Sequence, residues 1–473
     1  MIFYRILLPF CALFLLQQKL PGQSTTAFSW PSFREQVLNY HPDALYANTL
    51  EQYVNAQLFQ ARGGFDIKSF ASYETKSFQQ KQYFSYLESG LKLPTYFGLE
   101  FKSTYNLATG TFLNPERSLP SNGQASVGLT WTLGQGLLID DRRAQLKSAR
   151  EGLGMGRAER QLLLSNLVYS AGKLYWEWAL NSNELRVLQE ALQQAQLRHA
   201  ALKESVAQGD KPSIDTLETY IQVQNRLLEI TFTSNQLKNS QIELGTYFWG
   251  ANQRQLPLQT NFEAPTLAGL EADPAFSSKE ATELVAFALE SHPSLSYYGA
   301  KIKQLAVEKQ LKTEKLKPVL DLDYHLLGRG WEFSPTPGEN GAAVLINDIK
   351  WGVNFSYPIT NRKARGDLQL TRLKIQQNTL ILQEKRAEIE QKVLQYYNEL
   401  KALDTQVQLY ASITNNYFQL LEAENEKFRQ GESSIFLINT REQRWLDAQL
   451  KYLKLVATYK KTEMALNWAM GSF

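Results

Sequence analysis

The residues best suited to catalysis or metal binding are few and far apart in this sequence. The four histidines, His41, His199, His292 and His325, stand in scattered contexts, and Cys11 is the only cysteine. A zinc site or a cysteine nucleophile needs further ligands or a base nearby. No paired-histidine motif, nucleophile elbow or phosphate loop occurs. We therefore expect no catalytic residue, no cofactor and no metal, and we do not expect an enzyme.

Two of the histidines share a context, because each precedes a proline. His41-Pro42 is followed by Leu45, and His292-Pro293 is followed by Leu295. A metal-binding role would require partner ligands, and none recurs near either histidine. Proline is well suited to the first turn of a helix. We therefore favour a helix junction at both positions.

Two other polar patterns also have a structural explanation. Asp321 and Asp323 alternate with apolar residues, which predicts a strand whose carboxylates face water rather than an acid–base pair. Gly152, Gly154 and Gly156 lack the third-glycine spacing of a dinucleotide fingerprint. We predict that they mark a weak or closely packed point in a helix, where each glycine costs roughly 1 kcal/mol of helix stability.

The amino terminus predicts export. Arg5 precedes an almost wholly apolar stretch, residues 6–16, and small polar residues follow, so residues 1–24 have the pattern of a cleaved signal peptide. Cys11 follows the bulky Phe10 and lies too early for lipoprotein acylation. A net charge of +3 gives no case for nucleic acid. No other apolar stretch is long enough for a membrane helix, so we expect any membrane entry to use β-strands.

The longest regular pattern is a heptad stripe that occurs twice, 222 positions apart. Its first members are Leu167, Ala171, Leu174, Trp178, Asn181, Leu185, Leu188, Leu192, Ala195, His199, Leu202 and Val206. Its second members are Ile389, Val393, Tyr396, Leu400, Leu403, Val407, Tyr410, Thr414, Tyr417, Leu421, Glu424 and Phe428. The 3.5-residue repeat predicts two long coiled-coil helices, each about 100 Å long. Their polar members, such as Asn181, His199 and Thr414, are expected to set register.

Before each stripe the apolar residues recur at every second position, which predicts half-exposed strands. The alternation is clear in residues 96–107, 124–133, 320–326 and 349–357, and weaker in residues 65–78 and 82–93. A soluble β-sandwich could show the same alternation. Aromatic residues at strand ends and charges on the polar faces favour a barrel with lipid outside and water within. The aromatics expected at the lipid interface are Trp131, Trp351, Phe355 and Tyr357.

Helix caps and glycine turns complete a two-copy organisation. Asp or Asn precedes each long helix, and Gly209 or Gly431 follows it. The predicted segments are a signal peptide (1–24), repeat 1 (25–249, with strands 65–133, long helix 141–208 and return helix 212–248), a linker (250–278) and repeat 2 (279–473, with strands 319–357, long helix 362–430 and return helix 434–470).

Taken in this order, the motifs resemble the TolC family of outer-membrane efflux channels over essentially the whole mature chain. The histidine–proline junctions, the sequences ending Asp141-Arg142-Arg143 and Asn361-Arg362-Lys363, and the glycine turns carry the resemblance. It implies an α+β membrane protein, in which a long antiparallel coiled-coil α-barrel joins a transmembrane β-barrel in a homotrimer. The expected location is the outer membrane, with a periplasmic helical tunnel.

The resemblance also implies partners and a docking tip. The partners would be further copies of the chain, outer-membrane lipid, a periplasmic membrane-fusion adaptor and an inner-membrane pump, and the function would be an exit duct for tripartite efflux or type I secretion. The predicted adaptor-docking residues are Gly209, Asp210, Ser213, Asp215, Gly431, Glu432, Ser433 and Ser434. Asp215 could instead form an aperture charge, or be a solvated carboxylate at a helix start.

One feature departs from the family pattern, and one competing class remains. His41 and Asp141 are 100 positions apart, whereas His292 and Asn361 are 69 apart. We predict that the longer first copy contains an extra strand pair or a long β-extension. The alternative function is a soluble periplasmic coiled-coil adaptor or scaffold, which would explain the long helices but not the amphipathic strands.

Overall fold

The computed structural model describes residues 28–257, 262–269, 280–334 and 343–473. The predicted signal peptide and parts of the predicted linker lie outside this described part of the chain. The helices are α1 (Trp30–Tyr40), α2 (Pro42–Arg62), α3 (Asp141–Ala207), α4 (Ile214–Gly245), α5 (Ala281–Ser291), α6 (Pro293–Glu314), the short α7 (Val344–Asn347), α8 (Arg362–Arg429) and α9 (Ile435–Met470). The strands are β1 (Lys68–Phe78), β2 (Lys81–Pro94), β3 (Leu99–Thr109), β4 (Gln124–Thr132), β5 (Val319–Arg329) and β6 (Ile349–Ser356).

Both histidine–proline motifs lie at helix junctions, as the sequence predicts. His41 separates α1 from α2, and its Nδ1 accepts a hydrogen bond of 3.1 Å from the backbone N–H of Asp43. His292 separates α5 from α6 and accepts an equivalent bond of 3.1 Å from Ser294. Each histidine thus caps the helix that its proline opens, which confirms the helix-junction prediction.

The heptad stripes are the packing faces of α3 and α8. Every residue of both stripes is buried or half-buried, including the polar members Asn181, His199 and Thr414. Because the stripe keeps its phase along each helix, these helices can pack continuously against neighbours. Of the helices in the described part of the chain, none is apolar over a stretch long enough to cross a membrane.

The glycine triplet lies inside α3, and its members are not equivalent. A Cβ atom added to Gly156 would lie 2.7 Å from Cγ1 of Val54 on α2, whereas nothing lies within 4 Å of a Cβ added to Gly152. Gly154 allows an ordinary contact of 3.6 Å with Ala300. The predicted closely packed point is therefore confirmed at Gly156, where α2 approaches α3.

The residues that precede the two long helices differ in their caps. Asp140 caps α3 by accepting a 2.8 Å hydrogen bond from the backbone N–H of Arg143. Asn361, which precedes α8, has a positive φ of 45° and instead donates its amide to Leu316 O at 3.2 Å. The expected side-chain cap is therefore wrong for Asn361, because its amide binds the segment that enters β5.

The six strands form one antiparallel sheet in the order β1-β2-β3-β4-β5-β6. Four of them lie between residues 64 and 134, which confirms the prediction of an extra strand pair in the first copy. Strands β1 and β6 each pair on one side only, so one chain contributes an open sheet with two edges. The predicted closed barrel is therefore not formed within a single chain.

Contacts divide the described chain into two units. The first, here called the helical unit, contains residues 28–36, 174–257, 262–269 and 413–457. Its core contains an aromatic cluster in which Phe33 stacks on Tyr175 at 5.6 Å between ring centroids, and the Tyr175 hydroxyl donates to Phe28 O at 2.6 Å. Burial raises the pKa of this tyrosine well above its usual range.

The second unit, here called the sheet unit, contains the six strands with residues 37–173, 280–334, 343–412 and 458–473. Beside the sheet, Leu58 and Phe65 pack with Leu146 of α3, and Phe65 stacks on Tyr96 at 4.0 Å between ring centroids. These contacts fix the short turn between β2 and β3 against the helices that flank the sheet.

Candidate functional site

The turns that end α3 and α8 have the same backbone geometry. Gly209 and Gly431 have φ values of +86° and +83°, which favour glycine. After each glycine, a backbone N–H reaches five residues back, from Asp210 to Ser205 O at 3.0 Å and from Glu432 to Lys427 O at 2.9 Å. This is the Schellman pattern of a helix C-terminus. Both chain reversals therefore form where the glycines predict them.

The second turn is also held by side chains. Glu424 accepts hydrogen bonds from Ser433 Oγ at 2.6 Å and from Arg441 Nε at 3.5 Å. The bond from Ser433 is the main reason that the pKa of Glu424 is lowered. Ser434 Oγ caps α9 by accepting from Leu437 N–H at 3.4 Å. Glu424 therefore fixes the second turn to both helices of its hairpin.

The first turn has fewer such bonds. The position equivalent to Glu424 is Leu202, and Ser213, which precedes α4, makes no side-chain cap. Its backbone oxygen instead accepts from Thr216 Oγ1 at 2.6 Å. The two predicted tip segments thus share backbone geometry but differ in side-chain support.

Both turns belong to the helical unit, and side chains link their hairpins. Lys211 Nζ lies 5.1 Å from the ring centroid of Phe428, near the end of α8. Further along, Arg198 donates to Glu442 and, at 3.1 Å, to Asn439, which donates to Glu218 at 3.1 Å. The structure therefore brings the predicted tip residues of both copies into one neighbourhood.

Asp215 lies in the first turn of α4 and is half-exposed. Its side chain makes no ion pair with the residues that the structure describes. The equivalent position in the second copy is Leu437, which is 39% exposed. The aperture charge at Asp215 stays a prediction.

The sheet has two chemically different faces. Trp131, Trp351 and Phe355 lie on the apolar face and are 42%, 66% and 67% exposed, and Tyr357, just after β6, is 44% exposed. On the opposite face, Thr104 and Ser126 are buried and share a 2.7 Å hydrogen bond between their hydroxyls. The large apolar side chains of one face are therefore exposed, while this hydroxyl pair on the opposite face is buried.

The histidines do not come together. His41 and His292 are helix caps, His199 shares a 2.9 Å hydrogen bond with Thr219, and His325 lies on β5. Across the described ranges, no three His, Cys, Asp or Glu side chains are grouped so as to hold a metal ion.

Three solved structures of bacterial outer membrane proteins resemble this chain along almost its whole length. The Campylobacter jejuni CmeC outer membrane channel is 12% identical, with a TM-score of 0.63 over 94% of this chain and 86% of that one. The Vibrio cholerae outer membrane protein VceC is 13% identical, with a TM-score of 0.64 over 93% and 96%. The open state of the Neisseria gonorrhoeae MtrE outer membrane channel is 13% identical, with a TM-score of 0.64 over 93% and 88%. No family model matches the sequence, and no curated protein matches it.

The chain has the fold of an outer membrane channel. Within this channel fold, the heptad stripes and glycine turns predicted where the hairpins lie, but not the bonds between them. Arg198 and Glu442 are 244 positions apart, and neither residue belongs to a recognisable motif. Their pairing depends on how α3 and α9 pack, so a single sequence gives no local signal for it.

Proposed function

We propose that this chain is the outer-membrane exit duct of a tripartite efflux or type I secretion system. The duct would pass small molecules or secreted substrates from a periplasmic complex to the exterior. The observation that carries the proposal is the two-faced sheet, whose strands β4 and β6 each lead into a long helix. A soluble coiled-coil adaptor or scaffold has no need for exposed Trp351 and Phe355 on such a sheet.

We propose further that three copies assemble into one closed sheet around a pore. The edge strands β1 and β6 run in opposite directions because the direction alternates along the six-stranded antiparallel sheet and four strands lie between them. The β6 edge of one copy can therefore pair antiparallel with the β1 edge of the next, which satisfies both edges. Three copies of six strands would make a barrel of eighteen, with the apolar face toward lipid and the polar face toward water.

The two glycine turns are proposed as the docking tip for a periplasmic membrane-fusion adaptor and an inner-membrane pump. Their equivalent backbone geometry and the side-chain links between the hairpins support this role. Asp215, near the first turn, is proposed to contribute charge at the aperture. The exposed turn residues, including Asp210 and Glu432, would form the contact surface.

Fractionation of cells that produce the protein tests the exit-duct proposal. We expect detergent-extracted protein from the outer membrane to migrate as a trimer without heating and as a monomer after boiling. A soluble periplasmic protein of monomer size would support the adaptor or scaffold instead. Loss of export on deletion, restored by the intact chain, would connect the assembly to transport.

Single introduced cysteines test the docking tip. The predicted mature chain contains no cysteine, so Asp210→Cys and Glu432→Cys would each carry one crosslinking site. We expect both to capture a periplasmic adaptor, whereas Asn239→Cys, exposed on α4, would capture none. If neither turn variant captures an adaptor while export is intact, the tip proposal is wrong.

A further inference from the structure

Basic side chains form a row across the polar face of the sheet. In the strand register, directly opposite residues point to the same face. The row runs through Lys68, Lys92, Lys102, Gly128, His325 and Lys350, one residue from each strand in order. Five of its six positions therefore carry a basic residue, although they come from distant parts of the sequence.

Most of the charge in this row is not neutralised. Lys102 forms an ion pair of 3.2 Å with Glu88. Throughout the described residues, Lys68, Lys92 and Lys350 form no ion pair. Lys92 Nζ and Lys102 Nζ lie 5.1 Å and 5.4 Å from the ring centroid of Phe70. Two ammonium groups are thus held at one aromatic ring, which stabilises them by cation–π attraction.

Gly128 provides room for the imidazole of the next strand. A Cβ atom on Gly128 would lie 2.2 Å from His325 Nδ1 and 2.4 Å from Tyr324 O. The glycine therefore allows the His325 ring to lie over β4, the one strand that supplies no basic residue to the row. The row is continuous across the sheet because this position is a glycine.

The two acids in the adjacent row, Glu100 and Asp323, both have partners, but only the partner of Glu100 is charged. Glu100 lies 3.2 Å from Arg142, and Asp323 accepts a hydrogen bond from Thr130 Oγ1. Rows are about 7 Å apart along a strand, so these acids weaken but do not remove the positive potential of the lysines. At physiological salt this potential extends about 8 Å into water.

We propose that this lysine row is an anion-binding band in the pore wall and gives the channel a preference for anionic solutes. The proposal rests on the proposed function, since that function places the polar face around water. Carboxylates, sulfates and phosphates are the ligands that ammonium groups bind through charge-assisted hydrogen bonds. Strand tilt would carry the band obliquely around the pore, so a solute would meet several lysines in succession.

Ion selectivity in planar bilayers provides the first test. In a potassium chloride gradient, we expect the reversal potential of the intact channel to lie closer to the equilibrium potential of chloride than to that of potassium. The triple variant Lys68→Gln, Lys92→Gln, Lys350→Gln should shift it toward potassium, and the matching Lys→Arg triple variant should not. Lys81→Gln, at the hairpin end of β2, is the control. An unchanged reversal potential in the Gln variant would overturn the proposal.

Binding of a trisulfonated pyrene dye to the detergent-solubilised protein provides a test that needs no conductance. We expect the Lys→Gln triple variant to bind the dye about tenfold more weakly, since three favourable charge interactions are lost. The Lys→Arg triple variant and Lys81→Gln should bind it as the intact protein does. Equal binding by all four proteins would contradict the anion-binding band.

The two measurements distinguish failure of the inference from failure of the proposed function. Conducting channels with no lysine-dependent selectivity or dye binding overturn only the lysine row. If neither the intact protein nor any variant conducts ions, the proposed pore is wrong, and so is the proposed preference of the channel for anions. Lysine-dependent dye binding would then support only the anion-binding surface.

Discussion

Gly156 of α3 lies so close to Val54 of α2 that a Cβ atom on the glycine would be 2.7 Å from Val54 Cγ1 and 2.9 Å from Cγ2. Both methyl groups belong to a buried, β-branched side chain with little freedom to move. The absence of a side chain at Gly156 therefore sets how closely the two helices approach.

Substitution of two glycines in the same helix tests this contact. We expect Gly156→Ala to destabilise the protein by about 1–3 kcal/mol from overpacking, more than the roughly 1 kcal/mol gained in helix propensity. Gly152→Ala, with nothing within 4 Å, should gain that propensity without a clash. The unfolding temperature measured in detergent should be lower for Gly156→Ala and higher for Gly152→Ala than for the intact protein. Equal upward shifts would show that the contact is not tight.

The buried hydroxyl pair on the polar face should show strong coupling. Thr104→Val would leave the buried Ser126 hydroxyl without its partner. We expect this to lower the free energy of unfolding by about 1–3 kcal/mol. Combining it with Ser126→Ala removes both polar groups, so the double variant should lose less than the sum of the single variants. A double-mutant cycle measured by thermal unfolding would check this. Additive losses would mean that the two hydroxyls do not depend on each other.

Acid should weaken the junction between α5 and α6. Burial, followed by the charge of Lys392, lowers the pKa of His292 to about 4 from an ordinary value of 6.5. Between these two values the unfolded chain binds more protons than the folded chain, so stability falls as the pH falls from 6.5 toward 4. The contribution is fully present above the unfolded pKa.

An uncharged cap isolates the His292 effect. His292→Asn keeps a side-chain oxygen that can accept from Ser294 N–H but does not titrate. We expect its unfolding temperature to fall less than that of the intact protein between pH 7 and pH 4. Burial also lowers the pKa of His41, but this histidine is present in both proteins. Parallel pH curves would therefore exclude His292 as the source.

Neighbouring residues on β6 provide a matched test of the two faces. Phe355 points to the apolar face, and Asn354 points to the polar face, opposite Asp321. In a membrane-embedded sheet, lysine on the lipid side costs about 2–4 kcal/mol near the middle of the bilayer and less toward its surfaces. We expect Phe355→Lys to reduce heat-modifiable trimer in outer-membrane fractions and Asn354→Lys to leave it unchanged. The opposite ranking would reverse the assignment of faces.

The long helices and most of the strands could be predicted, because each depends on a repeat in its own stretch of sequence. The first long helix was predicted to end at Gln208, and it ends at Ala207. The prediction is close because Gly209, with its positive φ, ends the helix. Residues 65–78 alternate poorly because Phe70 lies on the polar face between two lysines, while Ser69 and Ala71 lie on the other face. Their strand could be predicted, but not the reason for its composition.

Pairings between distant segments could not be predicted. Lys92 and Lys102 appear as ordinary polar positions of two strands, and only the register aligns them with Lys350. Asn361 likewise looks like a helix cap, and its bond to Leu316 depends on the path of a segment 45 positions earlier. Such contacts follow from tertiary packing, so one sequence does not determine them by inspection.

The extra strand pair in the first copy obeys a parity rule. The chain crosses the sheet four times between α2 and α3, but only twice between α6 and α8. An even number of crossings returns the chain to the side from which it entered, so both long helices leave the same end of the sheet. A hairpin can therefore be inserted at this point without reversing any later element, whereas a single strand cannot. Under the proposed exit duct, the pore could therefore widen in steps of two strands per copy without any change in the long helices.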